Sequence, residues 1–155
     1  MFKFIDDFNY EVIVSFDLEC SQLQFDHALI IVKKGDKLLL TKHKERGFEF
    51  VGGKRESNET IEEAAIRETF EETGVYIKNV KRFCYYTVYA EETFNKLVFI
   101  ADFEKQGIQP QFEQKTKGSY FLTIEEIKAL DQLSFHMKDE GMNYILERFS
   151  FFLHK

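Results

Sequence analysis

Residues 60–75 carry signals for both ends of one helix, and the runs on either side of that helix read as strands. Thr60 suits the N-cap, and Glu63, three residues on, completes a capping box with it. Gly74 stands where a left-handed residue closes a helix, with the apolar Val75 beyond it. The spacing predicts a helix from Ile61 to Thr73, with Ile61, Ala65, Ile66, Thr69 and Phe70 on the side that packs against a sheet. Before it, Tyr10–Phe16, Ala28–Lys33, Lys37–Thr41 and Phe48–Val51 read as strands, the second and third forming a hairpin around Lys34, Gly35 and Asp36. After it, Tyr76–Ala90 and Lys96–Glu104 are strands joined at Glu91–Glu92, and Ser119–Leu122 follows a polar loop, Gly107–Gly118, that holds Pro110. Thr123 and Glu126 form a second capping box for a helix starting at Ile124. A closing helix from Met142 sets Ile145, Leu146, Phe149, Phe152 and Leu153 on one face. Sheet, helix, sheet and closing helix place the chain in the α/β class as a single domain, 1–155.

Composition narrows the function. The 18 Phe and 7 Tyr, with no Trp, imply a sheet core packed with aromatic rings. The net charge of −6, with no Lys/Arg run to offset it, argues against capture of DNA. Cys20 and Cys84 lack metal-ligand spacing and read as reduced, buried thiols. The acidic N-terminus does not read as a signal peptide, and runs such as Ala28–Val32 and Leu97–Ala101 are too short to span a bilayer, so a cytoplasmic protein is expected.

The predicted central helix carries an anomaly. Glu68, Glu71 and Glu72 stand at i, i+3 and i+4 and crowd into one arc, and two of them lie in the last turn, at the negative end of the helix dipole. Selection for helix stability alone would place Lys or Arg there. A divalent cation reverses the sign of the repulsion, and an oxygen-only donor set on a rigid element suits Mg²⁺ or Mn²⁺. Upstream, Gly52 and Gly53 allow backbone to approach a metal or phosphate, and Lys54 can reach a phosphate oxygen. Arg67, beside Glu68 and four residues from Glu71, can hold a carboxylate in a ligating pose by a forked hydrogen bond. Arg46, just before a short strand, is a further candidate for phosphate.

This segment resembles the Nudix box, G-x5-E-x7-R-E-U-x-E-E-x-G-U, where U is a bulky apolar residue. Gly53, Glu59, Arg67, Glu68, Glu71, Glu72, Gly74 and Val75 occupy matching positions, and Thr69 departs from the pattern at the first U. Residues 49–54, EFVGGK, are similar to the EFPGGK entry of MutT-like pyrophosphohydrolases, with Val51 in place of proline. Leu133–Asp139, LSFHMKD, is similar to a stretch of MutT-like nucleoside triphosphatases of Bacillus-type bacteria.

The resemblance implies a Nudix-type α/β/α sandwich with a mixed β-sheet. It implies that Glu68, Glu71 and Glu72, with the Gly52 carbonyl, bind the divalent ions, and that Arg67, Glu59 and Gly53 support them. Lys54 and Arg46 would meet phosphate. One more glutamate from a loop is expected to act as base or ligand: Glu113 first, then Glu91 or Glu92. The implied reaction is Mg²⁺-dependent hydrolysis of nucleoside triphosphates, including oxidised purine forms such as 8-oxo-dGTP, to monophosphate and pyrophosphate by metal-activated water. An RNA 5′-triphosphate or nucleotide-sugar substrate is the alternative, and a non-catalytic nucleotide sensor is a third reading. The four histidines, His27, His43, His136 and His154, read as surface or satisfied residues, and Phe48, Tyr85, Tyr86 and Tyr89 as core rings that can also stack on a base.

Overall fold

A computed structural model describes residues 1–18, 23–110 and 116–153. Within them run nine strands: β1 (Phe2–Ile5), β2 (Glu11–Ser15), β3 (His27–Lys34), β4 (Lys37–His43), β5 (Gly47–Glu49), β6 (Val51–Lys54), β7 (Val75–Tyr89), β8 (Thr93–Gln106) and β9 (Thr116–Leu122). Three α-helices accompany them: α1 (Ile61–Thr73), α2 (Ile124–Lys128) and α3 (Glu140–Leu153), with a 3₁₀ turn at Phe135–Met137. The strands form one sheet in the order β1-β2-β7-β8-β3-β4-β5, with β6 added to β3 and β9 to β4. The β3–β8 pairing is parallel and the other strand pairings are antiparallel, so the sheet is mixed.

Strand alternation divides the core in two. Ile30, Val32, Leu39, Leu97 and Phe99 face α1 and pack with its Ile61, Ala64 and Ala65. Ile31, Leu38, Leu40 and Val98 face the other way, onto Ile127 of α2 and Met142, Ile145, Leu146 and Phe149 of α3. Burying a side chain of this size contributes about 1.5–3 kcal/mol over leaving it exposed, so each helix is held chiefly by its apolar stripe. The result is the expected α/β/α sandwich.

Both capping boxes are present, at Thr60–Glu63 and Thr123–Glu126, and Gly74 closes α1 at φ 76°. Several boundaries and faces differ from expectation. Ile66 is 47% exposed, and the buried face of α1 is instead centred on Ala64, Ala65, Thr69 and Glu72. The helix is rotated so that carboxylates face the glycines of β6, and small residues sit where it touches the sheet. Thr69, the departure from the box, is fully buried, and its hydroxyl donates to the Ala65 carbonyl at 2.7 Å. The expected strand Phe48–Val51 is split at Phe50, since β5 pairs with β4 whereas β6 pairs with β3. β9 begins at Thr116, inside the expected loop, because it pairs with β4 down to His43. α3 starts two residues early, where Asp139 Oδ1 accepts the Met142 N–H at 2.7 Å. The side chains of Phe152 and Leu153 lie outside the described ones.

β1 was not expected at all. It pairs with β2 in a hairpin whose tip is built by Asp6: its Oδ1 accepts the N–H groups of Phe8 at 3.0 Å and Tyr10 at 2.8 Å, and Asn9 turns at φ 67°. Cys84 is fully buried, with its thiol pushed up by burial, and Cys20 lies outside the described residues. Among the described residues no helix is long and apolar enough to cross a membrane.

Candidate active site

The α1 register sets Glu68 and Glu72 against β6. An added Cβ on Gly53 would lie 2.5 and 2.6 Å from the Glu68 carboxylate oxygens, so only glycine leaves that carboxylate its place. Gly52 is equally confined, with the Ala28 carbonyl oxygen 2.8 Å from where its Cβ would be. The Gly52 N–H donates to Glu72 Oε2 at 3.2 Å.

Arg67 organises the cluster. Its Nε and Nη2 fork onto Glu59, with the shortest contact 2.7 Å, while Nη1 reaches Glu68 Oε1 at 2.9 Å and Glu71 Oε2 at 3.0 Å. Nη2 also donates to the Lys54 carbonyl at 3.1 Å, tying the helix to β6. The Glu59 fork raises Arg67 further above its already high range and holds Glu59 below the usual carboxylate range. Glu59 in turn accepts the Glu56 N–H at 2.8 Å, which fixes the loop before α1. The roles expected of Arg67, Glu59 and Gly53 as supports thus have a geometric basis.

Glu72 stands outside that network. It is 9% exposed, and among the described residues no cationic side chain forms an ion pair with it. Burial, and then the neighbouring Glu68 carboxylate, push it up to about 8. Burial also raises Glu68, against the pull of Arg67. Three carboxylates at the end of one helix, one of them nearly buried and without an ion pair among the described residues, fit a cation such as Mg²⁺ or Mn²⁺. Among the described residues, no three acidic, histidine or cysteine side chains converge at ligand distance. Arg67 Nη1 holds Glu68 and Glu71 together, while Glu72 lies apart from that network.

The end of α1 is anchored as strictly as its start. The Phe70 carbonyl accepts the Gly74 N–H at 2.7 Å, and the Glu71 carbonyl accepts Gln109 Nε2 at 3.3 Å. The Glu72 carbonyl accepts Thr41 Oγ1 at 3.4 Å, and the Thr73 carbonyl Gln106 Nε2 at 3.0 Å. Every carbonyl left open by the last turn has a donor, which blunts the negative helix end where the glutamates sit.

A cavity of about 200 Å³ opens between Glu72, Gly52 and Gly53 on one side and Arg46, Glu49, His27 and Lys96 on the other. Arg46 is therefore at the site, but two of its donors fork onto Glu49 at 3.0 and 2.7 Å. Burial works to raise Glu49, and the Arg46 and Ser134 hydrogen bonds overcome it, holding Glu49 low. Lys54 is exposed and forms no ion pair among the described residues. Glu91 and Glu92 are exposed in the β7–β8 turn, and Glu113 lies outside the described residues.

Sequence reasoning missed several lining residues. His27 and His136 face this cavity, each held below its usual range by burial, whereas His43 is buried and satisfied as expected, its Nδ1 accepting the Glu45 and Arg46 N–H groups. Lys96 opens the apolar run of β8, and burial lowers its ammonium. A charged residue directly before the apolar run Leu97–Ala101 was the one available signal. Phe48 and Tyr85 pack on Tyr120 and Phe25, as core rings should, but Tyr86 lines a second, larger cavity.

Comparison with known proteins agrees with this geometry. The family model described as the NUDIX domain matches residues 24–146. A Bacillus subtilis (strain 168) protein, YtkD, named provisionally as an 8-oxo-dGTP diphosphatase, is 37% identical over 150 residues, covering 96% of this chain and 95% of the relative. The crystal structure of the Bacillus subtilis pyrophosphohydrolase BsRppH, a glutamate-to-alanine mutant, superposes with a TM-score of 0.85 at 35% identity, over 97% of this chain and 96% of that one. An NAD-capped RNA hydrolase, NudC, of Photobacterium profundum is 31% identical, over 62% of this chain but only 38% of the relative's length. With Glu59, Glu68 and Glu71 of the box gathered around Arg67, the family model matched over residues 24–146 and the YtkD relative matched across almost the whole chain, this protein belongs to the Nudix family of hydrolases.

Proposed function

We propose that the protein hydrolyses nucleoside triphosphates, oxidised purine forms included, to a nucleoside monophosphate and pyrophosphate, with Mg²⁺ or Mn²⁺ at Glu68, Glu71 and Glu72. The observation that carries the reading is Glu72: a nearly buried carboxylate beside two glycines, with no described cation to pair with. When bound, the cation neutralises charge on the phosphoryl oxygens and supplies an acidified water as nucleophile. Arg67 holds Glu68 and Glu71 by one oxygen each. Gly52 orients Glu72, and its own carbonyl is the candidate backbone ligand. Arg46, in the cavity wall, is a candidate phosphate contact through the nitrogen that Glu49 does not engage, and the exposed Lys54, next to Gly53, is a second. Glu113 is the candidate additional base.

The name of YtkD favours a free oxidised purine nucleotide, and the name of NudC favours the 5′ end of an RNA as the second reading. A phosphate-release screen with Mg²⁺ and added pyrophosphatase separates them. It compares ordinary and oxidised nucleoside triphosphates, a triphosphorylated RNA oligomer, and ADP-ribose, the last with alkaline phosphatase in place of pyrophosphatase because its cleavage yields only phosphomonoesters. Release from free triphosphates, lost in Glu71→Gln, is the expected result. Release only from RNA or ADP-ribose would reassign the substrate while keeping the metal site, and tight nucleotide binding without turnover would mark a sensor.

A further inference from the structure

The N-terminal hairpin lies ahead of residues 24–146, the span the family shares, yet it forms one wall of a cavity of about 410 Å³. That volume falls within the roughly 300–1,000 Å³ of small-molecule sites. The hairpin contributes Phe4, Phe8 and Tyr10, β7 and β8 contribute Tyr86 and Phe94, and the 3₁₀ turn contributes Phe135. At the mouth, Phe8 at the hairpin tip meets Phe135 across a 6.2 Å centroid separation, nearly edge-on at 73°. Both rings are exposed, by 64% and 40%, so neither is there to fill the core. The tip is not a loose end, because Asp6 pins the backbone on both sides of Phe8.

Leu29, Lys96, His136 and Met142 line this cavity and also the one beside Glu72, so the two adjoin. Charge sets the direction of any shared ligand. Asp6, Asp7 and Asp139 line the aromatic cavity and disfavour phosphate there, whereas Lys96 stands at the seam with the carboxylate site.

From this we infer that Phe8 and Phe135, in contact with each other, together form one jaw of a clamp on the nucleobase of the substrate, and that Phe8 of the hairpin is a substrate-positioning residue supplied from outside the span the family model matches. The inference rests on the nucleotide reading above. An aromatic pair against one face of a planar base contributes stacking that every base accepts, while the carboxylates near it choose among bases by their N–H donors.

The chain has no tryptophan, so Phe8→Trp introduces a single indole at the clamp. In a Glu71→Gln background with Mg²⁺, titration with guanosine triphosphate is expected to quench that indole saturably, and inorganic tripolyphosphate is expected to leave it unchanged. In the active enzyme, Phe8→Ala should lower kcat/KM about tenfold through KM, and Phe8→Tyr should stay within about twofold. An indole that ignores a nucleotide which the wild type hydrolyses would overturn the clamp and leave the hydrolase reading intact. Equal quenching by tripolyphosphate would also overturn it. If the wild type hydrolyses no nucleotide, the hydrolase reading fails, and a saturable, base-dependent quench would still support the clamp. Phe8 is solvent-exposed, so these substitutions leave the core untouched.

Discussion

Gly53→Ala tests the site at the point where backbone and ligand meet. Gly53 sits in β6, paired with Ala28 of β3, and does not occupy the left-handed region, so alanine is conformationally allowed. Its methyl would lie 2.5 Å from a Glu68 carboxylate oxygen, about 0.9 Å inside ordinary contact, which begins near 3.4 Å. The obstacle is the far end of a flexible side chain, so Glu68 yields and the strand does not. A ligand displaced by about 1 Å costs on the order of 10²-fold in rate. We therefore expect kcat/KM for the preferred nucleotide to fall by about two orders of magnitude, with a raised Mg²⁺ requirement and a melting temperature within about 3 °C of wild type. Rates across a Mg²⁺ series and a thermal melt in EDTA supply the two readouts. Activity within threefold of wild type would show that Glu68 need not sit where the structure puts it. A variant that no longer folds would show that the glycine serves the strand instead of the site.

Other substitutions and conditions probe the remaining parts. Arg67→Lys keeps the charge but loses the fork on Glu59, and urea unfolding should show a loss of about 2 kcal/mol, below the 3–5 kcal/mol of a fully buried broken pair because the Arg67 side chain is 22% exposed. A stability change under 0.5 kcal/mol would remove Arg67 from its organising role. Without metal, folded Glu72 keeps its proton up to about pH 8 whereas the unfolded chain releases it near 4.5, so the folded state binds the extra proton and this group's contribution to stability declines as pH rises through that window. Mg²⁺ must displace that proton. Its stabilising increment in melting temperature should therefore grow between about pH 5 and 8, and calorimetry at pH 7 in two buffers should register proton release. A flat increment would contradict the buried, uncompensated state of Glu72. Thr41→Val, which removes the donor from the Glu72 carbonyl, should cost about 1 kcal/mol in the same unfolding assay, and no measurable loss would discount that anchor.

The sequence was most legible where the physics is local. Both capping boxes and the Gly74 terminus are fixed by residues within four positions of each other, and each appears in the structure. The association of Arg67 with Glu68 and Glu71 was equally readable, being an i, i+1 and i, i+4 relation on one helix. Burial was harder to read. Ile66 looks like a core residue by type and Glu72 like a surface one, yet the helix turns the first outward and the second inward, where Gly53 leaves room for the Glu68 carboxylate and the Gly52 N–H donates to Glu72. Contacts across the sheet left almost no local trace. Lys96, His27 and His136 share a cavity with Glu72 only because β3 and β8 run side by side and the 3₁₀ turn lies over them. The alternation of Phe2, Lys3, Phe4 and Ile5 was visible, but four residues at a chain end are too few to separate an edge strand from an extended tail.

Helices usually fray from their ends, and the final turn is where amide protons first reach solvent. In α1 the last-turn carbonyls are held by β4, by β8 and the loop after it, and by the Gly74 closure. Opening that turn would mean breaking contacts to parts of the chain remote in sequence, so its amides should exchange with deuterium on the slow timescale of the sheet. The glutamates thus ride on the end of α1 least free to breathe, and a metal ion arriving there would find its ligands' backbone already ordered.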